Sequence, residues 1–234
     1  SMRRLRSMRP VLSPQARSLL GLPQLSGLPM GANQTGLQSQ PQLELRPQGL
    51  RPEYNLGNTL RISETEIGDG LNGNIQTIQI MKDKARLHAG DPSIRRLALN
   101  ILQEYQVPSH YFVGEALAIG DYVKTNMRYV RDPENIEYLQ SPLTMVNDLK
   151  AGRAQGDCDD MSLLTATLLL TIGIQPYFKA VRYEQSFGNF NHIYVVVYEK
   201  NHSGPKQRVV LDCILKNKPI GFELNSISGE EFAV

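Results

Sequence analysis

Residues 156–173 read GDCDDMSLLTATLLLTIG, and this stretch decides the fold class of the chain. Between Asp159 and Ile172 the apolar residues fall on every side of a helix, and Gly173 closes the run. A helix that is apolar all round lies buried in the middle of a domain rather than on its surface. We therefore predict a buried central helix with Cys158 at its start.

The segments before this helix carry the signals of further helices. Asp91-Pro92 offers an N-cap and a first-turn proline, and apolar residues recur at helical spacing over 94–105. The same spacing runs over 112–127, and Ser141-Pro142 opens a shorter helix that reaches about Lys150. We therefore predict that the central helix packs among helices that precede it in the chain.

The periodicity of the sequence changes after the central helix. Segments 177–183, 193–198 and 209–215 are short, rich in Val, Ile and Tyr, and separated by turn residues. These properties are typical of antiparallel strands. The order of helices, a buried helix and then a sheet predicts an α+β domain, which we place at residues 76–234.

The first 57 residues differ in composition from the rest of the chain. They hold seven of the 14 prolines, seven Arg against two Glu, and a single aromatic residue, Tyr54. Such a segment cannot bury enough apolar surface to offset its ordering entropy, so we predict an extended low-complexity arm at 1–57. Its five leucines between 19 and 28 favour an arm that orders on a protein partner; the alternative is a floppy tail. Residues 58–75, with several glycine turns, are predicted to be a linker.

The bulk composition excludes several classes of protein. A net charge of +2, 41% hydrophobic residues and a mean hydropathy of −0.32 fit a soluble globular protein, and they give no global case for nucleic-acid binding. No apolar run reaches about 18 residues, so we predict no membrane span. Prolines interrupt the basic N-terminus, so we predict no secretory signal peptide. Two cysteines cannot build a disulfide framework, and a leftover thiol can carry chemistry.

Cys158 is the first candidate for catalysis, because it stands where the central helix begins. A helix N-terminus favours the thiolate, which is the nucleophilic form, and its free N–H groups can stabilise an oxyanion. The neighbouring carboxylates of Asp157, Asp159 and Asp160 disfavour the thiolate, so a nearby imidazolium would have to compensate. The alternative is a buried structural cysteine beside capping aspartates.

His192 and Asp212 are the two further candidates. His192 stands at the entrance of the strand predicted at 193–198, and Asp212 interrupts the apolar strand predicted at 209–215. A buried carboxylate needs a partner, and if the two strands pair, Asp212 can hydrogen-bond His192 and fix its tautomer. The alternatives are a surface histidine at a turn and an edge-strand aspartate that faces water. Cys213 points to the opposite face of its strand and is predicted to pack in the core.

The joint pattern resembles a known superfamily. Gly156-Asp157-Cys158-Asp159-Asp160 with its leucine-rich helix, His192-Ile193-Tyr194 and Leu211-Asp212 are similar to the motifs of the transglutaminase-like superfamily, which has the papain-like cysteine peptidase fold. The stretch MRYVRDP at 127–133, with Gln140-Ser141-Pro142, also resembles transglutaminase-like proteins of tailed-phage and prophage structural gene clusters. The resemblance covers about residues 90–222 and leaves out the arm.

The resemblance implies a fold and a set of roles. The fold is a buried central helix packed on an antiparallel sheet, and Cys158 would be the nucleophile, His192 the base and acid, and Asp212 the residue that orients His192. The chain has no tryptophan to complete an oxyanion hole, and Gln155 is our substitute donor. We expect no cofactor and no metal. The expected location is the cytoplasm of a bacterial host or a virion.

Two functions follow from these expectations. The first is thiol-dependent acyl transfer on a peptide or glutamine amide in phage or prophage particle assembly, with water as acceptor in a peptidase or amidase and a lysine amine as acceptor in a transglutaminase. The second is a catalytically inactive virion or assembly protein that uses the fold and the arm to bind protein. The partner is accordingly a protein substrate or a neighbouring virion subunit, and we expect neither nucleic acid nor a membrane.

Overall fold

The computed structural model describes residues 67–133, 137–183, 189–199 and 207–234. The predicted arm at 1–57 lies outside these residues, as does the first half of the predicted linker, 58–66. Within these ranges, no helix combines the length and the apolar character that crossing a membrane requires.

The described part of the chain forms helices followed by an antiparallel sheet. The helices are α1 (Gly70–Ala89), α2 (Pro92–Glu104), α3 (Phe112–Asn126), α4 (Pro142–Lys150) and α5 (Cys158–Thr171). Two short strands, β1 (Arg128–Tyr129) and β2 (Gln155–Gly156), pair in parallel. The main sheet contains β3 (Pro176–Arg182), β4 (His192–Tyr198), β5 (Arg208–Leu211) and β6 (Ser228–Ala233), in the order β5-β4-β3-β6. All neighbours in this sheet are antiparallel, so the predicted α+β class is confirmed.

Helix α5 is the buried central helix that its sequence predicts. It contacts α1, α2, α3 and α4 as well as strands β3 and β4. Its leucines Leu163, Leu164 and Leu168 are completely buried, and Thr165 and Thr167 bond back to the helix carbonyls of Met161 and Leu163. The helix is therefore surrounded on all sides, which holds its N-terminus, and Cys158 with it, in one position.

The predicted caps of two helices are present. The Asp91 side chain accepts a hydrogen bond from Ser93 N at 2.7 Å, and Ser141 Oγ accepts one from Leu143 N at 3.3 Å. In both helices a proline follows the cap, where its missing N–H costs nothing.

Two boundaries differ from the sequence-based predictions. Helix α1 begins at Gly70, inside the stretch 58–75 that we predicted to be a linker. A Cβ on Gly73 would lie 1.9 Å from the carbonyl oxygen of Gly68, so this glycine permits close backbone packing inside a helix and does not mark a turn. Strand β5 ends at Leu211, so Asp212 follows the strand rather than interrupting it.

Strand β6 was not predicted. Its sequence, SGEEFA, lacks the run of Val, Ile and Tyr that identified the other strands, and most of it is exposed. It forms along the edge of β3, with Phe178 opposite Phe232, because its backbone can complete that edge whatever its side chains are.

Candidate active site

Cys158 is the first residue of α5, and Asp157 is the N-cap. Asp157 Oδ1 accepts hydrogen bonds from the backbone N–H groups of Asp159 at 3.0 Å and Asp160 at 3.3 Å. The Cys158 N–H takes part in no hydrogen bond among the residues that the structure describes. The cap therefore satisfies the second and third N–H groups of the helix and leaves the first one open.

The thiol of Cys158 is half-buried and lies among acidic groups. Its sulfur donates to Asp159 Oδ1 at 3.3 Å. Burial raises the pKa of the Cys158 thiol well above its ordinary value, and the charges of Asp159 and Asp157 raise it further. A backbone hydrogen bond from Ile193, the residue after His192, acts in the opposite direction and lowers the pKa. In this arrangement the thiol is held in its protonated form, as the acidic neighbours in the sequence predict.

His192 and Asp212 form a buried pair across the sheet. Nε2 of His192 lies 2.8 Å from Oδ2 of Asp212, and the two residues are only 7% and 3% exposed. The pairing of β4 with β5, which puts Val195 opposite Leu211, brings the start of β4 close to the end of β5. Asp212 Oδ1 also accepts the Ile214 N–H at 3.2 Å, which fixes the carboxylate. The hydrogen bond to Asp212 engages Nε2 of His192, so the other ring nitrogen, Nδ1, takes no part in the pair.

Cys158 and His192 line one open cavity of about 190 Å³. The cavity lies between the N-terminus of α5, the first turns of α1 and the start of β4, and Asn74, Asn191 and Phe190 also line it. The structure thus brings the three residues that the sequence singled out to one place: two line the cavity, and Asp212 supports His192 from behind. Cys158 and His192 thus share the cavity, and the thiol hydrogen bonds to Asp159.

Carboxylates make up the third side of this cavity. Burial raises the pKa of Asp159 well above its ordinary value, and a hydrogen bond and charge from Glu137 raise it further. Burial also raises the pKa of Asp157 to about 6. Carboxylate oxygens of Asp132, Glu137 and Asp157 lie within 4.8 Å of one another, as do ligand atoms of Asp157, Cys158 and Asp159. Among the described residues, these two sets are the ones that could hold a cation. The sequence predicts the acidic groups beside Cys158 but not that Asp132 and Glu137, which stand earlier in the chain, lie close to them.

Asp160 positions the acidic segment, a role that the sequence analysis did not assign. Its two carboxylate oxygens accept the backbone N–H of Gln140 at 2.8 Å and the side-chain Nε2 of Gln140 at 2.7 Å. The same Nε2 donates to the backbone carbonyl of Gln155 at 2.8 Å. A Cβ on Gly156 would lie 2.6 Å from Asp160, so the close approach of these backbones requires glycine at 156. The sequence shows an aspartate at the end of GDCDD but not its burial. The structure shows that Asp160 is only 1% exposed, and a buried carboxylate needs a partner.

The structure does not bring Gln155 to the thiol. Its side chain is exposed and accepts a hydrogen bond from Arg128, its partner residue in the β1–β2 pair. It does not line the cavity that holds Cys158. The side-chain amides that do line it belong to Asn74 and Asn191, which the sequence analysis did not select. Cys213 packs in the core against Thr165, as its position in the strand predicts.

Comparisons with known proteins find similarity only at the level of structure. No protein-family model matches the sequence, and no curated protein matches it. A candidate cysteine protease from Cytophaga hutchinsonii is similar with a TM-score of 0.37 and 17% identity, over 58% of this chain and 42% of that one. Calcium-bound LapG from Legionella pneumophila is similar with a TM-score of 0.38 and 16% identity, over 67% of this chain and 87% of that one. The chain thus spans less than half of the Cytophaga protein, and at such identities what the site can do follows from its own residues.

Proposed function

We propose that the protein is a thiol-dependent acyl transferase that acts on a peptide or glutamine amide through Cys158, His192 and Asp212. The observation that carries the proposal is the buried His192–Asp212 pair, because His192 lines the same cavity as Cys158. A nucleophile at a helix start, a base at a strand start and a carboxylate that orients the base are the three parts of a catalytic triad.

The first half of the reaction transfers the acyl group to sulfur. Nδ1 of His192 takes the thiol proton, and the sulfur attacks the carbonyl carbon, so that a C–S bond forms and the carbonyl electrons move to oxygen. The tetrahedral species collapses, the C–N bond breaks, and the imidazolium gives its proton to the departing amine. Asp212 stabilises the imidazolium through its 2.8 Å hydrogen bond to Nε2.

The second half regenerates the thiol. Water or a lysine amine attacks the thioester carbon while His192 takes its proton, and the sulfur then departs and recovers a proton from His192. Water gives an acid, as in a peptidase or amidase, and an amine gives a new amide bond. We favour water as acceptor because it needs no second binding site. A role in phage or prophage particle assembly stays a proposal that rests on the motifs at 127–142.

A second candidate function is protein binding without catalysis. The observation that favours it is the hydrogen bond from the thiol to Asp159, together with a thiol pKa that burial and two carboxylates raise. A protein that uses this fold only for binding needs neither a free thiolate nor a Cys158–His192 contact.

The rate of iodoacetamide alkylation of Cys158 against pH separates the two candidates. If Cys158 and His192 form a catalytic pair, the wild type is alkylated even at pH values below the ordinary thiol pKa of about 8.5. His192→Ala should slow this alkylation strongly. His110→Ala, which removes an exposed histidine far from α5 in sequence, is the matched control and should leave the rate unchanged. Slow alkylation of Cys158, with the same pH profile in the wild type and in His192→Ala, would contradict the catalytic proposal and support the binding function. Cys213 is buried and should not react.

A further inference from the structure

We propose that Asn74 is a catalytic residue whose side-chain amide, together with the backbone N–H of Cys158, forms the oxyanion hole of this site. The inference rests on the proposed acyl transfer and goes beyond it, because it assigns the donors that hold the negative oxygen of the tetrahedral species. Such donors contribute most when they are fixed before the charge develops.

The amide of Asn74 is held in one orientation. Asn74 lies near the start of α1, lines the cavity beside Cys158, and accepts the Phe190 N–H on Oδ1 at 3.2 Å. Because Oδ1 accepts this hydrogen bond, the amide donates through Nδ2. Nδ2 has no hydrogen-bond partner among the described residues. Phe190 precedes His192 by two residues, so the same hydrogen bond ties the donor to the segment that carries the base.

The backbone N–H of Cys158 supplies the other donor. It is the N–H of the first α5 residue, and the Asp157 cap takes the N–H groups of Asp159 and Asp160 instead. An oxyanion formed at a carbon bonded to the Cys158 sulfur lies close to this N–H by covalent geometry. One more donor from the facing wall of the cavity completes the hole.

The charge around the thiol shows why such a donor is needed. The side chains of the cavity wall include the carboxyl groups of Asp157, Asp159 and Glu137, which offer no positive charge to a developing oxyanion and repel it wherever they are ionised. Among the described residues, no Lys or Arg lines the cavity. Neutral N–H groups must therefore stabilise the oxyanion. Asn191, the other amide of the wall, is exposed, whereas Asn74 is half-buried on a helix that packs on α5.

The test compares two reactions of the same thiol in the full-length protein. Acylation by 4-nitrophenyl acetate passes through a tetrahedral oxyanion, whereas alkylation by iodoacetamide displaces iodide and forms none. The ratio of the two second-order rate constants therefore reports oxyanion stabilisation and cancels any change in thiolate population. Cys158→Ala gives the background of each reaction.

The key variants are Asn74→Asp and Asn74→Ala. The aspartate keeps an oxygen that can accept the Phe190 N–H but loses the Nδ2 donor and adds a charge that repels the oxyanion, whereas the alanine loses the donor without adding a charge. A donor role therefore requires a loss in both variants. The matched controls are Asn191→Ala and Thr77→Val, which alter two other polar residues of the same cavity wall.

We expect the ratio to fall about 100-fold in both Asn74 variants, the usual effect of removing one oxyanion donor, and to stay near the wild-type value in the controls. A wild-type ratio in Asn74→Asp, or a fall in Asn191→Ala or Thr77→Val instead, would overturn the assignment of Asn74 and leave the acyl-transfer proposal standing. If wild-type acylation is no faster than that of Cys158→Ala, the acyl-transfer proposal itself fails, and the oxyanion hole fails with it.

Discussion

Nε2 of His192 and Oδ2 of Asp212 lie 2.8 Å apart, and both side chains are almost completely buried. A carboxylate at this distance from Nε2 favours the tautomer with its proton on Nε2, and this leaves the lone pair of Nδ1 to receive a proton. The imidazole also packs against the rings of Tyr183 and Tyr194, whose centroids lie 5.8 and 5.5 Å from its own. The imidazole of His192 is therefore held in one position and in one tautomer, beside the cavity that Cys158 also lines.

Asp212→Asn should abolish most acylation of Cys158 without unfolding the protein. An amide at this position can donate to Nε2, which favours the wrong tautomer of His192 and removes its lone pair from Nδ1. We expect acylation by 4-nitrophenyl acetate to fall by about 10³-fold or more. Asp148→Asn, which alters an exposed ion pair with Arg153, is the control, and thermal unfolding checks the fold of both variants. Equal acylation rates in the wild type and in Asp212→Asn would rule out the orienting role.

Asp159→Asn should make the thiol of Cys158 more reactive in the pH range where Asp159 is ionised. The carboxylate of Asp159 raises the thiol pKa by its charge and by the hydrogen bond that it accepts from the sulfur. Removal of this charge lowers the pKa of the thiol and increases the thiolate fraction, so alkylation by iodoacetamide should accelerate by a factor on the order of 10 once the pH is high enough to ionise Asp159 in the wild type. The pH profile of alkylation measures this directly. A profile identical to that of the wild type would show that Asp159 does not control the thiol.

The buried aspartates beside Cys158 predict a fold that is less stable in alkaline than in acidic solution. Burial raises the pKa of Asp160 to about 7 and that of Asp157 to about 6, above the value of about 3.9 in an unfolded chain. Folded-state pKa values that lie above the unfolded ones mean that the folded protein binds more protons, so the contribution to stability is full below about pH 4. It is lost as the pH rises through about 6 to 7.

Urea unfolding at pH 5 and pH 8 tests this sign. We expect the free energy of unfolding to be lower at pH 8, by about 2 kcal/mol, and the difference to shrink in Asp160→Asn. Higher stability at pH 8 in the wild type would contradict the burial of these carboxylates as the structure has it.

Gly156→Ala should destabilise the domain through a steric clash. The added Cβ would meet Asp160 Cβ and Oδ2 at 2.6 Å, and the buried Asp160 cannot move without breaking its bonds to Gln140. We expect a loss of about 1–3 kcal/mol in the free energy of unfolding, the usual range for overpacking. Gly90→Ala is the control, since its Cβ meets nothing within 4 Å and its φ is −82°, and it should be neutral or slightly stabilising. Equal effects of the two substitutions would contradict the close packing at Gly156.

The sequence predicts the central helix and the candidate triad because their signals are local. Helix α5 shows its burial in its own composition, and Asp212 shows its need for a partner by standing next to an apolar strand. The capped starts of α2 and α4 are equally local signals.

The remaining features depend on contacts between segments distant in the chain. Asn74 reaches the cavity only because α1 packs on α5, and Asp160 is explained only by Gln140, twenty residues earlier. Strand β6 pairs through its backbone with β3, which no side-chain pattern could reveal. Gln155, the predicted substitute donor, lies next to the GDCDD motif in the chain, but its side chain accepts a hydrogen bond from Arg128 across the β1–β2 pair.

The most direct test of the proposed chemistry is to trap the acyl-enzyme. The protein is mixed with 4-nitrophenyl acetate, quenched in acid, and digested for mass spectrometry of the peptide that contains Cys158. The proposal predicts an acetyl group on Cys158 in the wild type that forms rapidly and then hydrolyses, and a strong loss of this labelling in His192→Ala. Labelling of Cys158 at the same rate in both proteins, or no labelling above that of other residues, would contradict acyl transfer by a Cys158–His192–Asp212 triad.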